Sequence, residues 1–487
     1  MSTRRTLLFA AAASAFAGRL LAQTRSTFRA RPPGPQVSRP VTPPPADPWA
    51  EADAIVRRIK TTSFPNRDFS ILDHGADPEA VDDSSEAFKK AIAACAAAGG
   101  GRVVVPAGDY LTGPIHLKSN VNLHLAEGAL VRFKTDPKAY LPLVFTRWEG
   151  IELMNYSPFI YAIDQENIAV TGKGMFDGQC SRENWWPWKG PWGGNINGWK
   201  EGMPDQRPSR AVLFQMAEDE VPVADRKFGE GHYLRPPFLQ VYRCDRVLIE
   251  GVSLRRTPFW QVHPVLSSNV IIRGLNIHSH GPNNDGLDPE SCREMLVEDT
   301  FFSTGDDCIA VNSGRNHDGR RLNKPTENLV VRNCTMAAGH GGLTIGSQIS
   351  GHAHNIFFQN CRLDSPELNT AIRFKNNALR GGVVENIFFR DIKVGQVAKS
   401  VIEVDFNYEE GREGGFTPVL RHVVIENLTS GKSPMVADLE GFENAPIYDI
   451  TLKNCRFDNS AGPSIVKNVQ GLKLENVTVN GKAVTAL

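Results

Sequence analysis

The sequence carries no net charge, with 54 lysines and arginines against 54 aspartates and glutamates among its 487 residues. Bulk attraction to a polyanion such as nucleic acid is therefore excluded as a basis of function. It also lacks a long apolar run. The longest, Leu7 to Ala17, falls short of the roughly 20 residues that span a bilayer, so no membrane partner is expected. No spacing of Cys and His resembles a zinc site, and neither a metal nor a cofactor is expected. Helical periodicity is absent from most of the chain, which excludes ankyrin-type and tetratricopeptide arrays. Aromatic residues are only 8% of the chain, yet five of the eight tryptophans fall in one segment, 184–200.

What is present is a repeat. Ten segments begin at an apolar anchor: Ile168, Val247, Val270, Met295, Leu329, Ile356, Ile387, Val423, Ile450 and Leu472. Two residues on, the side chain is again apolar. Four residues on, every segment has Gly, Asp or Asn, from Gly172 to Asn476. Those types tolerate left-handed backbone, so each segment reads as strand, one-residue bend, strand. Most anchors recur every 22 to 36 residues or so, the period of a solenoid coil. The expected fold is all-β, a right-handed parallel β-helix whose coils stack about 4.8 Å apart. Ser84 to Ala98 reads as an amphipathic helix, placed to cap the first coil.

Residues 1–22 carry Arg4, Arg5 and Arg19 and no acid, which reads as a twin-arginine-like export signal. The protein is thus expected to be exported, to the periplasm or the medium. Residues 23–50 read as a linker, because eight prolines fall between residues 31 and 48. Residues 51–487 then form the β-helix domain. Eight cysteines in an exported chain invite disulfides, but Cys334, Cys361 and Cys455 occupy a column held elsewhere by Val, Leu and Ile. They are expected to be small buried hydrophobes.

Four motifs fall in successive coils: Asn283-Asn284-Asp285, Gly305-Asp306-Asp307, Gly339-His340-Gly341 and Arg373-Phe374-Lys375. Aligning their strands on Leu287, Ile309, Leu343 and Ile372 puts Asp285 and Asp307 in one column, with Asp306 and His340 in the next. Arg373 and Lys375 alternate with inward residues and so face outward. Asp306 and Asp307 reach one cleft only if Gly305 bends the chain. Paired carboxyl groups suit glycoside hydrolysis with inversion. Asp285 and Asp307 flank a water as the base, and Asp306 is the acid, its pKa raised by the neighbouring negative charge. Arg373 and Lys375 match a carboxylate-bearing sugar, and His340 orients or tunes the acid.

With these four motifs in this order, the chain from about Phe69 onward resembles glycoside hydrolase family 28, the polygalacturonases. Asn284 and Phe374 stand where the family usually has Thr and Ile. The resemblance implies hydrolysis of α-1,4-linked galacturonate in pectin with inversion, without a cofactor. It implies Asp306 as acid, Asp285 and Asp307 as water-activating groups, and substrate contacts from Asn283, His340, Arg373, Lys375 and Tyr408. The segment from Ser313 to Arg321 is similar to one in bacterial exo-acting members. A loop there walls off one end of the cleft, with Arg315 placed to bind a terminal uronate, and exo action from the non-reducing end is the expectation. The tryptophans of 184–200 either stack on sugar rings or pack onto the solenoid. His263 is expected to be structural. Other readings remain: endo action, a rhamnogalacturonan or xylogalacturonan substrate, a pectate lyase, or a β-helix that binds carbohydrate without cleaving it. The oligomeric state is left open.

Overall fold

The computed structural model describes residues 41–487. The export signal and the linker up to residue 40 lie outside the described residues. From Asp68 onward the chain winds into a parallel β-helix. One face is a sheet of 13 parallel strands, from Asp68–Ser70 to Lys473–Glu475. The anchors stack in register on it: Ile168 pairs with Val247, Val247 with Val270, and so on to Val423 with Ile450. The last coil follows through Leu452 and Leu474. All ten bend residues have positive φ, among them Asp299 at 53° and Asn333 at 56°. The side chains also stack, as in Asn360 Nδ2 to Asn333 Oδ1 at 2.8 Å.

A second left-handed position stands directly before each anchor, at Asn167, Arg246, Asn269, Glu294, Asn328, Asn355, Asn386, His422, Asp449 and Gly471. The ladder pairing skips it on both neighbouring strands without a change of register, and it was not visible in the repeat, because charged residues share the column with asparagine.

Residues one past the anchors, such as Ile271, Leu296, Val330, Phe357 and Phe388, are apolar although they face outward from the coils. They are buried by the N-terminal segment, with Ala52, Ile55 and Ile59 packed on them. This segment runs back along the solenoid: Thr42 bonds Glu385, Trp49 bonds Glu426, Lys60 bonds Asn269 and Ser63 bonds Asn167. Its helix, Pro48–Arg58, starts within the stretch expected to be linker. Asp47 accepts hydrogen bonds from the backbone of Trp49 and Ala50, and proline is tolerated at a first helical turn. The second helix, Ser85–Ala97, buries Ala87, Phe88, Ala91, Ile92 and Cys95 against the core of the first coils. All eight cysteines are free and buried.

Among the described residues no helix is long and apolar enough to cross a membrane. The face that matters for chemistry is a ladder of short strands: Val262–Val265, Ile309–Val311, the second half of Thr335–Ile345, Leu368–Lys375 and Ser400–Asp405.

Candidate active site

The register of that ladder puts Leu287 opposite Ile309 and Ile309 opposite Leu343, which pairs with Ile372. Asp285 and Asp307 therefore share a column, and the Gly286 backbone N–H donates to the Asp307 carbonyl at 2.9 Å. Asp306 and His340 share the next, with the His340 N–H on the Asp306 carbonyl at 2.9 Å. The chain bends at Gly305 and Asp306 between two strands. An added Cβ at Gly305 would collide with the carbonyl oxygen of Gly281, so only glycine allows that bend here. Asp306 consequently reaches the cleft, while Asp307 is fully buried next to it. One carboxyl oxygen from each of Asp285, Asp306 and Asp307 lies within 4.8 Å of the others.

The cations lie beneath these acids. Lys375 Nζ is 2.5 Å from Asp307 Oδ2, and Arg373 Nη1 is 3.6 Å from Oδ1. Arg373 also pairs with Glu403 at 3.1 Å. The Tyr408 ring stands over both, 5.1 Å from Lys375 Nζ and 5.7 Å from the Arg373 guanidinium carbon. Gly341 leaves room for this packing, since a Cβ there would come within 2.8 Å of Asp307 Oδ1. Asn283 sits in left-handed backbone, accepts from Arg235 at 2.8 Å and faces Asp306 Oδ2 at 3.4 Å.

The charge state differs from the expectation for Asp306. Burial favours its neutral form, but the charge and hydrogen bond of His340, 2.9 Å away through Nδ1, outweigh burial. Lys375 and Lys189 add to this and hold its carboxyl well below the usual range. Counting neighbouring acids in the sequence gave the opposite sign because it did not include the imidazole. His340 is correspondingly raised above 6.5 by the Asp306 charge. The carboxyl pushed up is Asp285, by burial and then by the charges of Asp306 and Asp307.

The three acids, His340, Lys375 and Tyr408 surround a cavity, and all except Asp307 line it directly. Its volume is about 200 Å³. The other lining residues come from elsewhere, among them Glu149, Lys189, Trp192, Arg210, Asp288, Asn312, Gln348 and Glu409. Asp288 was missed in the sequence although its place is legible there: Leu287 points inward, so Asp288 points out, three residues past Asp285. It is fully buried, and burial followed by the negative charges around it pushes its pKa above the ordinary aspartate value. Asn312 continues the coil strand Ile309–Val311, whereas Glu149, Lys189, Trp192 and Arg210 sit on insertions, where no period indicates which way a side chain faces.

Arg315 is not at the cavity surface. It is fully buried, paired with Glu409 at 2.7 Å and Glu410 at 3.2 Å, and stacked on Phe214. The loop it begins does brace a wall: its helix, Asn316–Leu322, packs on the helix Arg207–Glu218. Arg315 ties that wall together, and its full burial keeps it out of contact with a uronate in the cavity. The tryptophans divide as well. Trp185 is buried, Trp186 donates to the Thr257 carbonyl at 2.9 Å, and Trp188 packs against Trp185. Trp192 reaches the cavity. His263 is fully buried between Gln240 and Glu290, at 3.0 and 2.8 Å.

Comparison with known proteins agrees with this geometry. The family model described as Glycosyl hydrolases family 28 matches residues 225–481, more than half of the chain. A solved exopolygalacturonase from Thermotoga maritima shares 44% of its residues with the chain at a TM-score of 0.86, covering 89% of this chain and 96% of that one. A probable polygalacturonase of Vitis vinifera is 25% identical over 79% of this chain and 73% of its own length. An exo-poly-alpha-D-galacturonosidase of Dickeya chrysanthemi is 24% identical over 88% and 68%. Strand register, acid cluster and sequence likeness thus lead to one assignment: the chain belongs to family 28 of the glycosyl hydrolases.

Proposed function

We propose that this hydrolase cleaves the α-1,4 linkages of polygalacturonate, acting at the non-reducing end and releasing galacturonate with inversion. The observation that carries the reading is a cationic pair, Arg373 and Lys375, held directly under three clustered carboxyl groups in a walled cavity. A uronate polymer supplies the anion that such a pair attracts. The cavity is smaller than the roughly 300–1,000 Å³ of sites that enclose a drug-sized ligand. It suits a chain end better than a length of polymer. Exo action is also the activity of the relative that shares 44% of its residues. Export, read from residues 1–22, belongs to the same proposal, because pectin is too large to enter a cell.

The proton for the departing oxygen is held jointly by His340 and Asp306. Asp306 Oδ1 faces Nδ1 of His340, while Oδ2 is left for the glycosidic oxygen. When the shared proton sits on Asp306 Oδ2 and His340 is neutral, the carboxyl gives it to the leaving oxygen as the bond from the anomeric carbon breaks, and Asp306 returns to carboxylate. A water between Asp285 and Asp307 adds to the anomeric carbon and gives its own proton to Asp285. Carboxyl groups within 4.8 Å are closer than the roughly 6.5–9.5 Å usual for inverting enzymes. Water seated between two carboxylates, beside rather than between acid and base, accommodates that spacing.

Early products from polygalacturonate test the whole reading. Galacturonate alone, released as the β-anomer in proton NMR, is expected. A ladder of oligomers would mean endo action, an initial α-anomer would mean retention, and an unsaturated product would mean a lyase.

A bell-shaped pH dependence of kcat/KM is a further expectation. Asp285 must be ionised, and its pKa is raised above 3.8, so the acid limb lies above the ordinary aspartate value. The His340–Asp306 pair must keep its proton, and His340 is raised above 6.5, so rate falls only as pH climbs past that point. In His340→Gln the alkaline limb should lose this assignment and move. An unmoved limb would remove His340 from the proton path.

A further inference from the structure

The cations around the cavity differ in one respect. Lys375 and Arg373 are neutralised by Asp307 and Glu403. Arg210 pairs with Glu149 at 2.7 Å and Glu409 at 3.0 Å. Lys189 lines the same cavity and has no ion pair among the described residues. Its ammonium is held 4.2 Å from the ring centroid of Trp192, which also lines the cavity. The nearby acids are already engaged, Asp306 among them, with His340 at 2.9 Å. Glu149 is taken by Arg210, and Asp205, beside Gly190, is gripped by Arg207 with contacts of 2.6 to 3.0 Å.

Its placement is built into the insertion. Lys189 ends a short helical turn, Trp186–Lys189, anchored by the Trp186 indole on Thr257 and by the Gln206 N–H on the Trp188 carbonyl at 2.7 Å. Gly190 follows with φ of 82°, and a Cβ there would strike the Asp205 carboxylate, so the turn has little freedom to swing the lysine away. A half-buried ammonium without an ion pair of its own is disfavoured, and burial, only partly offset by the charges of Glu149 and Asp306, brings the Lys189 pKa down to about 8. An incoming carboxylate relieves that cost and gains a charge-assisted hydrogen bond.

We propose that Lys189 is a specificity-determining residue. It receives the carboxylate of a second uronate unit beside the one held at Arg373 and Lys375, with Trp192 keeping the ammonium in place. The insertion then does more than close the cavity: it makes the enzyme require two adjacent unesterified units. This inference rests on the polygalacturonate reading above.

The test uses trigalacturonate and its methyl ester with wild type, Lys189→Gln and Lys189→Arg. For Lys189→Gln, KM on trigalacturonate should rise about ten- to a hundredfold, the range for loss of one hydrogen bond to a charged group. kcat should move by much less than KM, because Lys189 is the weakest of the cationic influences on the Asp306 carboxyl. Lys189→Arg should recover part of the affinity, and the preference of wild type for the acid over the ester should shrink in Lys189→Gln. An unaltered KM and ester discrimination in an active Lys189→Gln variant would overturn the role of Lys189 while leaving the functional reading intact. A wild type inert on polygalacturonate would remove the functional reading, and the role of Lys189 with it. Thermal unfolding of each variant separates a lost contact from a lost fold: equal Tm with raised KM supports the proposal, and a KM change that tracks a fallen Tm in both variants overturns it.

Discussion

Replacing Asp306 by Asn is expected to lower kcat about a hundred- to ten-thousandfold, the range contributed by one positioned general acid, while the fold persists. Asparagine keeps the size and planar shape of the carboxylate, so the bend after Gly305 and the packing beneath it should survive. What is lost is the group that passes a proton from His340 to the leaving oxygen. KM should move far less than kcat, because Arg373, Lys375 and Tyr408 still bind substrate. A second readout follows from the ion pair. His340 is raised by the Asp306 charge, so in Asp306→Asn its NMR titration should shift toward lower pH. The sign follows from removing the anion that favoured the imidazolium. A kcat within tenfold of wild type would exclude Asp306 as the acid. An unshifted His340 titration would break the proposed pair.

The largest effect on stability is expected away from the chemistry, at Arg147. Arg147, Glu290 and His263 are each 0% exposed, and that number decides the case because water cannot compensate a lost partner. Arg147 Nε lies 2.9 Å from Glu290 Oε1, and His263 Nε2 lies 2.8 Å from Oε2. Burial lowers the His263 pKa and works against the charge on Glu290. Arg147 outweighs it and keeps that carboxyl low. Arg147→Met therefore leaves an anion stranded in the interior, at a cost of about 3–5 kcal/mol. Chemical unfolding followed by tryptophan fluorescence measures it. Arg147→Met combined with Glu290→Gln should be less destabilised than Arg147→Met alone, since no charge then remains unpaired. Equal stability of the single variant and wild type would show the pair to be dispensable. Glu290 lies on the segment that carries Asp285 and Asp288, so activity of Arg147→Met should fall with the fold.

Much of the coil was legible because each turn repeats the same physical demand. An apolar anchor must face the core, and a residue tolerant of positive φ must follow four places later. Ile168 through Leu472 and Gly172 through Asn476 meet both demands. The second bend was not legible, because Arg246, Glu294 and His422 adopt left-handed backbone under the constraint of their neighbours and not from any preference of their own. The outward apolar stripe from Ile271 to Phe388 looked unremarkable until the N-terminal helix was seen to cover it. Asp288 was recoverable by parity alone. Arg315 was not: a basic loop residue has the same letters whether it meets substrate or the carboxylates of Glu409 and Glu410.

The sequence by itself determined the solenoid, the stacking of Asp285 on Asp307 and of Asp306 on His340, and the outward cations. All of these follow from strand period and from coils a fixed distance apart. Only the tertiary structure decided which carboxyl groups are pushed up and which down, what encloses the cavity and which cation lacks an ion pair among the described residues. Those depend on the distances between Glu149, Lys189, Arg210, Arg315 and Glu409. These residues lie on separate insertions, and no repeat relates their positions.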